Sequence, residues 1–324
     1  MSESLEILDT RLDSDFVPMV QSYRDRMATR PPLHTITPAM MRERASAEFV
    51  AWNSDPQQVA RVSDLTVLAD GRSIPVRLYE PALGLTEGML IHFHGGGWTI
   101  GDLDIEDAAI RRVALASGVR ILSVDYRLAP EHGFPAPIED GVAVFRWLTE
   151  AASALVVDPA RIAIGGASAG ATVALGTALS LRDDGGPQPA FLKLMYGAYS
   201  DDATTPAHGL YGDGNYGLSS AAMTYFWTNY AGADIAARHP YAVPLAADLT
   251  GLPPVFINHA GIDVLSDDSN ALAAKLRAAG VPVEHRIYPG AIHGFTQFAK
   301  VSPVARTALE EAGLALAAAV GGGG

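Results

Sequence analysis

The segment that most constrains how this chain can fold is Gly166-Ala167-Ser168-Ala169-Gly170, five small residues with a serine at the centre. It follows the mainly apolar residues 161–165, which predict a strand, and precedes residues 171–175, which predict a helix. A strand, a tight glycine-flanked turn and a helix form the context that presents a serine as a nucleophile. Glycines two positions away on each side allow the strand and the helix to approach closely. By itself the pattern also fits an ordinary packing turn.

A second glycine-rich segment, His94-Gly95-Gly96-Gly97-Trp98, ends the apolar run 89–93. Successive glycines let the backbone curl around an oxygen atom, so their N–H groups can stabilise the negative charge that develops in acyl transfer. A flexible loop or a phosphate cradle is the alternative, but the lysine of a phosphate loop does not follow Trp98. A strand that ends in this segment, upstream of the serine turn, is a more specific pattern than either segment alone.

A nucleophilic serine needs a base, and in this motif class the histidine is the last of the three catalytic groups along the chain. His293 lies in a loop just past the last predicted strand, where an imidazole can be exposed. His259 and His285 fall on predicted strands and are interpreted as structural. Five histidines follow Ser168 in all, at positions 208, 239, 259, 285 and 293.

The acid that orients the histidine is expected between Ser168 and His293. Asp263 directly follows the predicted strand 255–259, whereas Asp267 and Asp268 suit the first turn of the next helix, beside the positive end of its dipole. The sequence therefore predicts Ser168, Asp263 and His293 as the catalytic groups.

With these motifs in place, the sequence resembles the hormone-sensitive-lipase-like esterases, also called bacterial family IV carboxylesterases, which have the α/β-hydrolase fold. The resemblance extends from about Leu90 to Phe295. It rests on five blocks that occur in the family's order, at residues 94–98, 125–131, 166–170, 263–265 and 293–295. The chain departs from the family at Ala167 and Ala171, where a polar residue and a glycine are usual, but neither change removes a catalytic group.

The resemblance implies site residues and an activity. The family's oxyanion hole corresponds to the N–H groups of Gly95, Gly96 and Ala169, and Arg127 and Glu131 would hold polar networks beneath the site. The implied activity is hydrolysis of short-chain acyl esters through an acyl-enzyme, with no cofactor. Two alternatives stay open: an amidase such as an arylformamidase with the same triad, and a non-catalytic small-molecule receptor on the same scaffold.

The pattern of strands and helices predicts an α/β fold with a mostly parallel, eight-stranded sheet and helices on both faces. From the third strand onward, strand-like and helix-like runs alternate, which is typical of a parallel sheet covered on both sides. The first two strands are joined by Asp70-Gly71-Arg72 and predict a hairpin. Strands are predicted at residues 62–69, 74–79, 89–93, 119–125, 162–166, 191–195, 255–259 and 283–288, and the main helices at 104–117, 137–152, 169–182 and 266–279.

Two segments lie outside this alternation, and in the resembling family both contribute to a helical cap. Residues 1–58 are expected to carry N-terminal cap helices at 15–27 and 38–53, and residues 201–233 a cap insertion. The core is then formed by residues 59–200 and 234–320, followed by a disordered glycine tail at 321–324. The apolar residues proposed to line the substrate pocket are Trp98, Tyr211, Phe226 and Trp227, with Phe16, Met19, Met41, Trp52 and Tyr216 as further candidates.

Charge and composition restrict the partners. The 324 residues carry a formal net charge of −13, with no run of basic residues, which argues against nucleic acid and anionic membrane surfaces. The chain has no cysteine, so disulfides and thiolate metal sites are excluded. The first residues are acidic and do not resemble a signal peptide. We expect a cytoplasmic enzyme with a small-molecule ester as substrate, no stable membrane association and a homodimer as one possible assembly.

Three short patterns suggest other functions and are set aside. Residues 212–217 fit the dinucleotide pattern G-x-G-x-x-G but do not follow a buried strand, so a cap loop is the better interpretation. His92 and His94 share a strand face without a third metal ligand nearby. The acidic residues at 102, 104, 106 and 107 fit the first turn of a helix better than a calcium loop. No metal is predicted.

Overall fold

Eight strands form one sheet in this computed structural model, which describes residues 10–29, 31, 35–81, 86–232 and 239–322. The strands are Arg61–Ala69 (β1), Arg72–Glu80 (β2), Met89–Phe93 (β3), Arg120–Val124 (β4), Ile162–Ala167 (β5), Phe191–Met195 (β6), Val255–Ile262 (β7) and Val283–Ile292 (β8). The helices are Val17–Thr29 (α1), Pro38–Asn53 (α2), Asp107–Ser117 (α3), Ala136–Glu150 (α4), Ala152–Leu155 (α5), Ala169–Asp183 (α6), Pro206–Tyr211 (α7), Ser220–Ala231 (α8), Ser266–Ala278 (α9) and Pro303–Val320 (α10).

The strand order across the sheet is β1-β2-β4-β3-β5-β6-β7-β8. β2 runs antiparallel to both β1 and β4, and all other neighbours are parallel. The hairpin between β1 and β2 turns at Asp70 and Gly71, which both have positive φ, as tight hairpin turns require. The predicted fold class, with its antiparallel start, is confirmed.

The hydrophobic core lies on both faces of the central strands. Every residue of β3, β4, β5 and β6 is buried, which requires helices above and below the sheet. α3 packs against α10, and α4 packs against α6. The edge strands differ: β1, apart from the buried Val67, and most of β8 consist of exposed and partly buried residues.

The observed elements differ from the predicted ones mainly at their ends. β3 and β6 have the predicted bounds, but β7 continues to Ile262 and β8 to Ile292 because these ends pair with each other past a bulge at Ala260/Ile262. α3 begins at Asp107 rather than at 104, and α10 was not predicted. Of the predicted glycine tail, residues 323–324 lie outside the described residues.

Four helices lie outside the alternation of strand and helix, namely α1 and α2 before β1, and α7 and α8 between β6 and β7. Arg42 fixes α2 to the core: its guanidinium donates to the carbonyl oxygens of Thr99 and Ala129 at 2.8 and 2.9 Å and pairs with Glu131 at 2.6 Å. Within the described part of the chain, no helix combines the length and the apolar character needed to cross a bilayer.

Candidate active site

The predicted catalytic side chains come from three loops at the same edge of the sheet. Ser168 follows β5, Asp263 follows β7 and His293 follows β8. These strands are parallel, so their carboxyl ends lie side by side, which is where ligand sites of open α/β sheets form. Residues separated by up to 125 positions along the chain therefore meet in one place.

The serine turn has the strained geometry that its sequence predicts. Ser168 has φ 53° and ψ −122°, a conformation that side chains other than glycine rarely adopt. Its own N–H is bonded to the carbonyl oxygen of Met195 at 2.8 Å, and α6 begins at the next residue. The turn therefore directs the hydroxyl away from the sheet, at the N-terminus of a buried helix.

Hydrogen bonds connect the three side chains in series. Ser168 Oγ lies 3.0 Å from His293 Nε2, and His293 Nδ1 lies 2.7 Å from Asp263 Oδ2. The other carboxylate oxygen of Asp263 accepts the N–H of Leu265 at 3.0 Å, which fixes the acid in place. Asp263 is buried, whereas the imidazole of His293 remains partly accessible. This arrangement can remove a proton from the serine and stabilise the resulting imidazolium.

Gly170 is required by close packing. A Cβ at this position would overlap the backbone carbonyl oxygens of Phe93 and His94. We expect Gly170→Ala to reduce the free energy of unfolding by about 3 kcal/mol or more, because backbone cannot move aside as a flexible side chain can. Thermal unfolding followed by circular dichroism measures this. Gly186→Ala is the matched control: nothing lies within 4 Å of its added methyl, and an unchanged melting temperature for both variants would contradict the packing argument.

The predicted oxyanion donors do not all have free N–H groups. The N–H of Gly95 donates to Glu106 Oε1 at 2.9 Å, so it is occupied. The N–H groups of Gly96, Gly97 and Ala169 form no hydrogen bond with the described part of the chain. The prediction of Gly95 as a donor is therefore at odds with the structure, because sequence gave no sign that a carboxylate eleven residues away would bind it.

Residues 94–98, called the glycine loop below, also pack against aromatic rings. The hydroxyl of Tyr126 donates to the carbonyl oxygen of His94 at 2.9 Å, and the two rings stack at 4.4 Å. Trp98 is fully buried and stacks on Tyr230 of α8 at 4.4 Å. Gly97 has φ 57°, and a Cβ there would enter the ring of Phe226. The loop is therefore held rigid between the core and α8.

A cavity of about 230 Å³ opens beside Ser168 and His293. Side chains of α1, α2 and α8 form much of its wall, together with the glycine loop, so both segments outside the core alternation reach the site. The larger apolar and aromatic residues among those that line it are Tyr23, Phe49, Trp52, Trp98, Ile100, Tyr196, Leu218, Met223, Phe226 and Phe298.

The predicted pocket residues divide into two groups. Trp98, Phe226 and Trp52 line the cavity beside Ser168, and Met19 lines the neighbouring groove instead. Tyr211 and Trp227 do not line it, which differs from the prediction. The other candidates that pack elsewhere are Phe16, Met41 and Tyr216.

The two differences follow from which helix face points inward. Phe226 lies three and four residues after Met223 and Ala222, on the same face of α8, so all three reach the cavity. Trp227 is one position further and packs against Trp98 at 4.4 Å. Tyr211 packs edge-on against Tyr216 at the end of α7. Aromatic content alone does not reveal the orientation of a helix.

A larger groove of about 980 Å³ adjoins the cavity between α1 and α2. Tyr23, Glu48 and Trp52 line both spaces, as do Gly217 and Phe298, so these residues form the wall that they share. The groove and the cavity beside Ser168 are therefore neighbouring spaces divided by these residues.

The acids and histidines that the sequence does not assign to the catalytic group have backbone or mutual partners. Asp267 accepts the N–H of Ala207 at 2.8 Å, and Asp268 accepts the N–H groups of Tyr199 and Ser200. His259 and His285 bond to each other at 3.0 Å, and burial lowers the pKa of His259 to about 4. His259 is buried and paired with His285, so it is not available to accept the proton of Ser168.

Sequence reasoning missed Glu106 and Tyr196, which also line the cavity. Tyr196 directly follows β6, has φ 36° and places its ring edge-on to His293 at 5.4 Å. The end of a parallel strand was a usable signal for Tyr196. The sequence places Glu106 in an acidic first turn, but its carboxylate accepts the N–H of Gly95 in the glycine loop and bonds to His92.

The described residues contain no group of three or more His, Cys, Asp or Glu side chains that could hold a metal ion. His92 bonds to Glu106, and His94 Nδ1 bonds to the carbonyl oxygen of Gly95, so the two histidines have separate partners. Residues 212–217 connect α7 and α8 without a preceding strand.

Comparison with known proteins agrees with the fold described above. Residues 90–297 match the family described as alpha/beta hydrolase fold. The chain is 39% identical to the carboxylic ester hydrolase LipN of Mycobacterium tuberculosis over 247 residues, which cover 74% of this chain and 65% of LipN, a little under two thirds of its length. It is 40% identical to the carboxylesterase NlhH of the same organism over 254 residues, which cover 76% of this chain and 79% of NlhH.

Solved structures are similar over nearly the whole length. An alpha/beta hydrolase enzyme from the metagenome of Lake Arreo, Spain, superimposes with a TM-score of 0.90 at 35% identity, covering 97% of this chain and 100% of that one. An esterase of Pyrobaculum calidifontis superimposes with a TM-score of 0.87 at 31% identity, covering 95% and 98%. By the extent of the family match and the identity to these relatives, the chain belongs to the α/β-hydrolase fold family and, within it, to the hormone-sensitive-lipase-like carboxylesterases.

Proposed function

We propose that this carboxylic ester hydrolase cleaves short-chain acyl esters with Ser168 as nucleophile, His293 as general base and acid, and Asp263 as the group that orients the imidazole. The observation that supports this most is the continuous chain of hydrogen bonds from Ser168 Oγ through His293 to Asp263, at 3.0 and 2.7 Å. A serine hydroxyl is a weak nucleophile without such a base, and the third group keeps the imidazole in the correct tautomer.

In the first step Ser168 Oγ forms a bond to the ester carbonyl carbon while its proton moves to His293 Nε2. The carbonyl oxygen becomes an oxyanion, and as it reverts to a carbonyl the alkoxy group leaves with the proton from His293. The products of this step are an alcohol and an acyl-serine.

In the second step water attacks the acyl carbon and gives its proton to His293. The second tetrahedral oxyanion collapses, the bond to Ser168 Oγ breaks, and Oγ recovers the proton from His293. The carboxylic acid is released and the enzyme returns to its initial state.

The N–H groups of Gly96, Gly97 and Ala169 are the proposed oxyanion donors. Gly97 takes the place of the predicted Gly95, since the N–H of Gly95 is already donated to Glu106. Backbone donors held rigidly in a site that excludes water stabilise the oxyanion without reorganisation.

The proposal is tested with p-nitrophenyl esters of increasing acyl length. We expect a burst of p-nitrophenol equal to the enzyme concentration, followed by slower turnover, and the highest kcat/KM for the shortest acyl chains. An organophosphonate should add one covalent group, on Ser168. Absence of this adduct contradicts the mechanism, and p-nitroanilides cleaved as fast as the matching esters would favour the amidase alternative.

Phe226 is expected to limit acyl length, because its buried ring lies against Gly97 in the cavity beside Ser168. We expect Phe226→Ala to raise the ratio of kcat/KM for octanoate over acetate esters about tenfold, as one or two methylene-sized contacts are worth this much. Thr228→Ala, on the same helix but outside this cavity, is the control. An unchanged ratio in the Phe226 variant would show that the acyl group binds elsewhere.

A further inference from the structure

A buried group of titratable side chains, His92, Glu106 and Lys193, lies directly beneath the glycine loop. The exposed fraction of each residue is 4% or less. Charged side chains are almost never buried this deeply unless they are paired, so the group requires an explanation beyond packing. The mechanism proposed above uses none of the three.

Glu106 connects this group to the reaction site. One carboxylate oxygen accepts the N–H of Gly95 at 2.9 Å and the other lies 2.7 Å from His92 Nε2. A Cβ on Gly95 would lie 3.2 Å from Glu106 Oε1 and 3.4 Å from the Cβ of Ser168. The carboxylate and the nucleophile are thus close neighbours on either side of Gly95, and Glu106 lines the same cavity as Ser168.

Lys193 approaches the same place from β6. In the sheet Lys193 is in register with Gly165 of β5, which is in register with His92 of β3. Side chains in register point to the same face of a sheet. Gly165 leaves room between the other two, and a Cβ there would lie 2.9 Å from the Cβ of Lys193.

The Lys193 ammonium has only a weak partner of its own. Its hydrogen bond within the described chain is to the sulfur of Met195 at 3.0 Å, and a thioether is a poor acceptor. Lys193, His92 and Glu106 together line a cavity of about 10 Å³, which is too small for a ligand. The other residues around this cavity, from β3, β4, β6, α3, α10 and the turn at 295–298, do not titrate.

Charge states follow from these contacts. Burial alone would raise the pKa of Glu106, but the hydrogen bonds from His92 and Gly95 lower it below its usual value. Burial lowers the pKa of His92, so this imidazole is neutral and donates to the carboxylate. Burial also lowers the pKa of Lys193, to about 8, which leaves it mostly protonated at neutral pH. The positive charge that balances Glu106 is therefore the Lys193 ammonium.

We propose that Glu106 is a positioning residue that fixes the glycine loop through the N–H of Gly95. Lys193 neutralises the charge of Glu106, so that this carboxylate does not repel the oxyanion. This proposal rests on the proposed function, because it assumes an oxyanion beside Ser168. An unbalanced carboxylate a few ångströms from a developing negative charge raises the barrier, since the interior screens charges weakly. The N–H of Gly95 orients Gly96 and Gly97 without contacting substrate.

Lys193→Met tests the countercharge. Methionine has a similar shape and fills the same space without a charge, so folding should be preserved. We expect kcat to fall about 10- to 100-fold while KM changes less than about threefold, because the repulsion acts only once the oxyanion forms. Lys300→Met is the control and should leave kcat unchanged, since Lys300 is exposed and bonds to Ser54.

The double variant tests whether Lys193 acts through Glu106. Glu106→Gln keeps an oxygen that can accept the N–H of Gly95 but removes the charge, and should cost less than about tenfold in kcat. Adding Lys193→Met to Glu106→Gln should then cost no more than about threefold further, which is strong coupling in a double-mutant cycle. Glu106→Leu removes both acceptor and charge, and we expect a loss of about 100-fold in kcat, similar to loss of an oxyanion donor.

The pH profile of the unmodified enzyme is a second readout that does not depend on any variant folding. Lys193 acts in its protonated form, so kcat should decline as pH rises through about 8, where Lys193 loses its proton. The same decline should be absent in Glu106→Gln, where no negative charge needs balance.

Two results would overturn the proposal: unchanged kcat in Lys193→Met, or a double variant as impaired as the two single losses multiplied. Ser168→Ala separates this failure from failure of the proposed function. If Ser168→Ala is inactive and Lys193→Met is fully active, only the inference about Glu106 and Lys193 fails. If Ser168→Ala still turns over esters, the mechanism itself fails.

Discussion

Replacing Ser168 by alanine should lower kcat for p-nitrophenyl acetate by about 10⁵- to 10⁶-fold, the largest effect expected of any substitution in this chain. The hydroxyl of Ser168 forms the covalent bond to substrate. Without it His293, now 3.0 Å from Ser168 Oγ, has no nucleophile to deprotonate. The cavity and the oxyanion donors remain, so substrate binding should change little and some rate above that of water should persist. Steady-state kinetics measures the fall in kcat, and mass spectrometry after treatment with an organophosphonate measures the loss of the covalent adduct.

Ser180→Ala is the matched control for this variant. Ser180 lies on the same helix, α6, far from the turn at Ser168. We expect full activity and normal labelling in this control. Normal turnover in Ser168→Ala, with the same melting temperature as the unmodified protein, would refute the proposed nucleophile.

Replacing Asp263 by asparagine should lower kcat by about 10⁴-fold at neutral pH. Asparagine can still accept the N–H of Leu265 through its oxygen, so the loop after β7 should keep its shape. Its amide group would then donate to His293 Nδ1, which favours the tautomer that cannot accept the proton of Ser168. The fall in kcat should therefore occur without a large change in KM, which steady-state kinetics measures.

Asp267→Asn serves as the comparison, since Asp267 lies one turn beyond and accepts the N–H of Ala207. It should change kcat only slightly. If Asp267→Asn reduced activity as strongly as Asp263→Asn, the assignment of the orienting acid would be wrong.

The fold was predictable from sequence because its strongest signals are local. Apolar runs of five residues predict β3 and β6 with the observed bounds, since strands buried on both faces cannot contain many polar residues. The two glycine-rich segments are also local signals. They predict tight turns because only small residues fit there. The ends of β7 and β8 were missed because they depend on the pairing of one strand with the other.

The parts of the site that sequence did not reveal depend on contacts between distant elements. Glu106 appears in the sequence as one of several acids near a helix start, and only the fold brings its carboxylate to Gly95. Lys193 appears as a single polar residue in an apolar strand, without indication of what it faces. Trp227 and Phe226 are adjacent and chemically alike, and only the orientation of α8 decides which one reaches the cavity.

The hydrogen bonds of Arg42 restrict how this enzyme can admit its substrate. The guanidinium links α2 to the carbonyl oxygen of Thr99, the first residue after the glycine loop, and to the carbonyl oxygen of Ala129 and the carboxylate of Glu131. A hinged swing of α2 as a rigid lid would break all of these bonds at once and would disturb the neighbouring glycine loop. Rotamer changes of the aromatic side chains shared by the groove and the cavity, Tyr23, Trp52 and Phe298, would leave these bonds intact and would occur on the timescale of side chains rather than of domains.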